Sequence, residues 1–272
     1  MQISAFILRG RAWLAVSLIL SSPLLPLAHA ISMGHRRQWQ YMEVYGESGR
    51  YPLSVTVKGR MVRFWADLVT SPNSKYSCKL YNLLRTLDSA SSFHTPWLES
   101  IKQMLNDAGL ECVWDTQCFS SKTSLCRLVS NHLCDMYELE WRKQLEDSSK
   151  CLLYRHFKDD IRQESFLKSL PEVYSLALLK FRCSNHKLPT EQGRKNGTPR
   201  ELRLCRACDM GEIGDEFHLI FECPAWQTER DRFIPMKFRK IKSTYNLCRL
   251  LGTKSKKIAL SLAKFLKSCG AV

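Results

Sequence analysis

The feature that most constrains the fold of this 272-residue chain lies near its carboxy-terminal end. Leu204-Cys205-Arg206-Ala207-Cys208 is followed by Phe217-His218 and then by Phe221-Glu222-Cys223-Pro224, a C-x2-C-x9-H-x4-C pattern. Two cysteines three apart can turn both sulfurs toward one ion in a tight turn, and a histidine and a third cysteine complete a tetrahedral set. Zinc suits that mixture of thiolate and imidazole. Four protein ligands leave no open position for water, so the expected site is structural. The surrounding segment, 200–226, has Leu202, Leu204, Phe217, Leu219, Ile220, Phe221 and Trp226 as its main apolar residues. That is too little to fold alone, whereas a structural zinc contributes on the order of 10 kcal/mol. Gly211 and Gly214 are expected to let the loop turn back, and Asp215 to cap a short helix carrying His218 that Cys223-Pro224 ends. On a regular helix, positions i and i+5 lie ~140° apart, so Cys223 must fall just past the regular turn. The alternative reading is a redox CxxC or a disulfide among the same cysteines, although no βαβ pattern surrounds them.

Upstream, apolar residues recur at helical spacing. Met61, Val62, Phe64, Trp65, Leu68 and Val69 mark one helix, and Tyr76, Leu80, Leu83, Leu84 and Leu87 form a single face of the next. Thr95-Pro96 reads as an N-cap followed by proline at the first helical position, with Gly109 as the stop. Leu125, Leu128, Val129, Leu133, Met136, Leu139 and Leu145 stripe a longer helix over 123–146, and Pro171 opens another toward Phe181. Ser54 to Val57 is the best strand candidate, and it is short. Trp65, Trp97, Trp114 and Trp141 are expected to pack the core. The fold class is therefore all-α: a helical body over 37–190, a small zinc-stabilised knuckle module over 191–228, and a basic helical tail over 229–272.

Net charge is +15, and it is unevenly placed. From Arg230 onward there are twelve Lys or Arg against Asp231 alone, so the tail is the natural place for a polyanionic partner. In its last helix, Ile258, Leu262, Phe265 and Leu266 mark one face bordered by Lys256, Lys257, Lys264 and Lys267. That face can dock on the helical body, present its lysines to phosphates, or lie on a membrane surface. At the other end, residues 1–30 carry a signal-peptide pattern: Arg9 and Arg11, an apolar run from Ala12 to Leu20, and Ala28-His29-Ala30 as a small-x-small site. Export would place the 12 cysteines in an oxidising compartment, yet most are scattered through apolar helical stretches, where free cysteine behaves as a small hydrophobe.

No catalytic constellation emerges, and GxxxxGK[ST], GxSxG and HExxH are all missing from the sequence. Lys158-Asp159-Asp160 offers paired carboxylates, but a solvated helix start explains them.

The run Phe181-Arg182-Cys183-Ser184-Asn185-His186-Lys187-Leu188-Pro189-Thr190-Glu191-Gln192-Gly193-Arg194, then Asn196-Gly197-Thr198-Pro199-Arg200, the metal-ligand pattern, and Gly214-Asp215-Glu216-Phe217-His218 resemble a known segment. They are similar to the carboxy-terminal region of LINE-type (non-LTR) retrotransposon reverse transcriptases, downstream of the polymerase. Gly49-Arg50-Tyr51-Pro52-Leu53 and Met61-Val62-Arg63-Phe64-Trp65 resemble the upstream part of that region, and the resemblance spans about residues 37–240. It implies that Cys205, Cys208, His218 and Cys223 hold a structural Zn2+. It also implies that Arg182, His186, Arg194, Lys195, Arg200 and Arg206 contact phosphates; the charge of the basic tail adds Lys237, Arg239, Lys240 and Lys242 to that expectation. The polymerase palm, the YxDD-like strand and the endonuclease domain have no counterpart in this sequence, so the family's catalysis does not carry over. The expected function is thus a non-catalytic, zinc-stabilised binder of RNA or single-stranded DNA, with no small-molecule substrate, in the nucleus or cytoplasm. The competing readings are a secreted, disulfide-bonded helical interaction protein, if residues 1–30 direct export, and an inert retroelement remnant.

Overall fold

The computed structural model describes residues 41–72, 74–89 and 95–272. The signal-peptide pattern of residues 1–30 lies outside them. The described chain is mostly helical; its strand pairing is one isolated antiparallel bridge, Leu204 to Ile213. Among the described residues no helix is long and apolar enough to cross a membrane.

The chain divides into two compact units, and the division does not follow the segments expected from sequence. The smaller unit comprises residues 49–148 and 159–162. Its helices are α2 (Leu53–Val69), α3 (Tyr76–Ser89), α4 (Pro96–Asp107), α5 (Glu111–Thr116) and α6 (Lys122–Asp147), which follow α1 (Tyr41–Ser48) of the larger unit in the chain. Val62, Trp65, Ala66 and Leu68 of α2, Leu98, Ile101, Met104 and Leu105 of α4, and Leu125 and Val129 of α6 supply its core. Trp65 stacks on Trp114 at 6.2 Å between centroids, and its indole N–H donates to Tyr81 Oη at 2.9 Å. Trp65, Trp114 and Trp141 are buried as expected, and Trp97 is partly so.

Two local expectations for this unit are corrected, and a third is met in position alone. Ser54–Val57 is the first part of α2 and not a strand, because the buried face further along that helix outweighs the β preference of two valines. In α3 the leucine face is only partly used: Leu80 and Leu83 are half exposed and Leu84 packs at the edge of the core, while Cys78 and Tyr81 are buried. Tyr81 takes the interior position because Trp65 and Gln117 satisfy its hydroxyl there. Thr95 does sit at the N-cap of α4, but its side chain makes no capping bond.

The larger unit comprises the described residues up to 48, residues 149–158 and residues 163–272. Its helices are α1, α7 (Ser165–Ser169), α8 (Glu172–Arg182), α9 (Pro189–Lys195), α10 (Gln227–Phe233), α11 (Met236–Arg239), α12 (Thr244–Leu251) and α13 (Lys256–Ser268). The last helix packs on α8, and Ala259, Leu262, Ala263, Phe265 and Leu266 are buried beneath it. Its apolar face is thus docked on the body, and its four lysines remain exposed. Lys158-Asp159-Asp160 is no helix start either: Lys158 is buried, with Nζ 2.7 Å from Glu164 Oε1.

Buried ion pairs join the segments of this unit. Arg182 of α8 grips Glu47 of α1 through Nε (3.1 Å to Oε2) and Nη2 (2.7 Å to Oε1), and lies over the rings of Phe157 and Phe166. Lys150 Nζ lies 3.1 Å from Glu43 Oε2, also in the interior. Such pairs contribute modestly while intact and are costly to break, because the surviving charge is stranded away from water.

Candidate metal centre

The four residues of the cysteine and histidine pattern meet at one point of the larger unit. Cys205 Sγ and Cys223 Sγ are 3.9 Å apart, Cys208 Sγ is 3.3 Å from His218 Nε2, and all four ligand atoms lie within 4.8 Å of one another. The arrangement can hold a metal ion.

Each ligand is placed by a recognisable local device. Cys205 and Cys208 sit on a narrow loop closed by Cys205 N donating to Glu212 O (2.8 Å) and Gly214 N donating to Arg203 O (2.9 Å). Gly211 adopts φ +70°, which glycine accepts freely, and so turns the loop as expected. Gly214 is required for a different reason than turning. A Cβ there would lie 2.6 Å from Pro189 Cγ and 3.1 Å from Cys205 Cα, so only glycine lets the first ligand's backbone pass α9 so closely.

His218 enters on a helical turn capped by Asp215, whose Oδ1 accepts from His218 N at 2.9 Å. From His218 to Glu222 the turn is a π-helix, closed by Cys223 N donating to His218 O at 2.8 Å. This i→i+5 bond answers the angular difficulty posed by the x4 spacing. A widened turn brings residue i+5 back within reach of residue i, where a regular α-helix would have swung it aside. Cys223 then leaves the helix with ψ 115° and Pro224 follows.

Arg230, read from sequence only as part of the basic tail, completes the support. It is buried, and its guanidinium donates to the carbonyls of Ile220 (2.9 Å) and Cys223 (2.6 Å) and to Gln227 Oε1 (2.7 Å). It thereby binds the carbonyls that the π-turn leaves open. Arg203 is a second such residue: it runs over Gly193 and donates to Thr198 O (2.8 Å) and Thr190 O (3.2 Å). Neither residue carries a motif, so the sequence pattern gave no signal for them.

Burial pushes the Cys223 thiol up to about 12, and the sulfurs of Cys205 and Cys208 add to the rise. A thiol so buried loses its proton only when a positive ion compensates the desolvated charge. His218 Nδ1 is buried without a hydrogen-bond partner and lies 3.7 Å from Glu222 Oε2. A metal-bound histidine commonly directs its second nitrogen to a carboxylate, and Glu222 is placed for that part.

The residues expected to touch phosphates fall into two groups. Arg182 and His186 are interior and are corrected here: Arg182 neutralises Glu47, and His186 stacks on Phe181 with Nε2 2.9 Å from Glu216 Oε1. Burial opposes the charge of Glu216, but His186 outweighs it and holds that carboxyl below its ordinary range. Arg194 is paired with Glu191, and Arg239 with Asp231 while donating to Ile234 O. Lys195, Arg200, Arg206, Lys237, Lys240 and Lys242 are exposed. Comparison of the chain with protein-family models, with curated proteins and with solved structures finds no match.

Proposed function

We propose that the protein is a non-catalytic, zinc-stabilised nucleic-acid-binding protein of the nucleus or cytoplasm, derived from the carboxy-terminal region of a LINE-type reverse transcriptase. The observation that carries the reading is the convergence of Cys205, Cys208, His218 and Cys223 within 4.8 Å. In a tetrahedral zinc site with Zn–S of about 2.3 Å and Zn–N of about 2.0 Å, neighbouring sulfurs stand ~3.8 Å apart, and sulfur and nitrogen ~3.5 Å apart. The 3.9 Å between Cys205 and Cys223 and the 3.3 Å between Cys208 and His218 fit both edges. When bound, the ion supplies cross-linking and charge neutralisation; the protein's part is to hold the loop and the π-turn together. Exposed Arg200, Arg206, Lys237, Lys240 and Lys242, with the four lysines of α13, belong to the same unit and offer phosphate contacts.

Metal analysis and strand binding test the reading together. The purified chain is expected to carry about one zinc, which chelation removes and which a Cys208→Ser variant lacks. It is expected to bind RNA or single-stranded DNA with an affinity that falls steeply with salt. Unchanged zinc in the Cys208→Ser variant overturns the ligand assignment, and salt-independent binding, or none at low salt, overturns the nucleic-acid assignment.

A further inference from the structure

Three large apolar side chains stand in solvent where α11 gives way to α12 in the larger unit: Met236 is 66% exposed, Ile241 65% and Tyr245 70%. A single exposed apolar residue is ordinary on a protein surface and needs no explanation. These three share one braced corner. Phe238 anchors α11 from the interior, and Arg249 of α12 lies over both its ring (5.9 Å) and that of Tyr245 (5.5 Å). Buried Asn246 donates from Nδ2 to Ile241 O at 2.8 Å, and its own N–H donates to Ser243 Oγ at 3.2 Å. The loop that carries Ile241 is thereby tied to the start of α12. Arg239 Nε donates to Ile234 O at 2.8 Å and steadies the opposite end.

Bases are interleaved with the apolar residues. Lys237, Lys240, Lys242 and Arg249 are exposed, and the sequence has no acid after Asp231, which Arg239 already pairs. Cations alone suit phosphates from any source. The aliphatic side chains decide between sources. A single strand offers ring faces to stack on and edges to hydrogen-bond, and Met236 and Ile241 answer neither. A lipid layer rewards their burial directly. Tyrosine suits the same boundary, with its ring toward the acyl chains and its hydroxyl among headgroups, and lysine stems reach back from there to the lipid phosphates.

We infer that the corner between α11 and α12 docks on an anionic lipid surface. Met236, Ile241 and Tyr245 enter the boundary of headgroups and acyl chains, while Lys237, Lys240, Lys242 and Arg249 lie against the lipid phosphates. Attachment of this kind is peripheral and reversible, because it sums a few buried side chains with the attraction of each base to the negative surface. Cytoplasmic leaflets supply such a surface. The inference stands apart from the nucleic-acid reading, which uses the lysines of this corner and has no part for its aliphatic residues.

The test is cosedimentation of the full zinc-loaded chain with vesicles of phosphatidylcholine and phosphatidylserine, and with vesicles of phosphatidylcholine alone. The mixed vesicles are expected to bind at least about ten-fold more tightly than the neutral ones. Met236→Gln and Ile241→Gln keep every charge. Each is expected to weaken binding to the mixed vesicles about ten-fold, and the double variant about one-hundred-fold. Both positions are exposed, so zinc content and strand affinity are expected to stay unchanged. Lys240→Gln combined with Lys242→Gln is expected to weaken vesicle binding about ten-fold or more. Undiminished vesicle binding by the double aliphatic variant overturns the inference, since charge alone or another part of the chain then holds the vesicle. Equal wild-type binding to the two kinds of vesicle, or none to either, overturns it as well. Loss of strand affinity in the double aliphatic variant, with zinc intact, assigns Met236 and Ile241 to nucleic acid and also overturns it.

Discussion

Replacing Arg230 by methionine keeps an apolar stem of similar reach and removes the guanidinium. Two of its bonds to the π-turn are well formed, at 2.9 Å to Ile220 O and 2.6 Å to Cys223 O, whereas the contact to Leu219 O is marginal at 3.4 Å. Hydrogen bonds from charged groups contribute about 1.5–3 kcal/mol each. Taking the lower end for the two good ones gives about 3 kcal/mol. Some of this is returned, because burial disfavours the charged guanidinium and lowers its pKa, and that cost vanishes with the substitution. A net loss of about 2–3 kcal/mol remains. The bonds exist only while Cys223 holds its position, so the loss is expected to appear in metal affinity, roughly thirty- to one-hundred-fold at 1.4 kcal/mol per decade. Competition for zinc against a chromogenic chelator measures the affinity, and urea unfolding of the zinc-loaded protein measures the stability. Retention of zinc affinity within a factor of about three, with stability changed by less than about 0.5 kcal/mol, refutes the argument. A reduced salt slope in strand binding with unchanged metal affinity would instead make Arg230 a phosphate contact.

Arg182→Ala strands Glu47 and Glu164 in the interior and is expected to cost about 3–5 kcal/mol in denaturant unfolding; a stable variant with impaired strand binding would restore Arg182 to the phosphate-binding set. Burial works to raise the Glu164 carboxyl, but Arg182, Lys158 and Lys254 together hold it below its ordinary 4.5. Its contribution is therefore complete above pH 4.5 and lost as pH falls through the lower folded-state value. A Glu164→Gln variant is expected to unfold with a correspondingly shallower acid dependence, and an unchanged acid limb would count against the pairing. Gly214→Ala drives a methyl to 2.6 Å from Pro189 Cγ and 3.1 Å from Cys205 Cα; it is expected to cost about 1–3 kcal/mol and weaken zinc retention, both measurable by melting with and without chelator.

The cysteine and histidine cluster was legible because spacing alone limits which side chains can converge on one point, and the helical class was legible because a 3.6-residue period survives averaging over a long segment. What escaped the sequence depends on contacts far apart in the chain. The α3 leucines form a face as good as any on paper, yet Tyr81 is the residue buried, because Trp65 and Gln117 supply partners for its hydroxyl. Arg182 and Lys158 carry the same charge as solvent-facing bases elsewhere, and only the arrival of Glu47 and Glu164 makes them interior residues. Position i+5 looked like an obstacle for Cys223 because regular helical geometry was assumed; the π-turn is a local departure that the His-x4-Cys spacing itself demands.

The order of segments in the larger unit sets the order in which the protein can assemble. The smaller unit draws almost entirely on one continuous stretch, 49–148, and its core residues are all present once that stretch has left the ribosome. The larger unit has no such early completion. Glu47 waits for Arg182, 135 residues downstream, and α8 waits for α13 to cover it. During synthesis the acidic face of α1 therefore waits for Lys150 and Arg182, and the apolar face of α8 stays uncovered until α13 emerges. That interval is when the nascent chain is most open to misassembly and most dependent on chaperones.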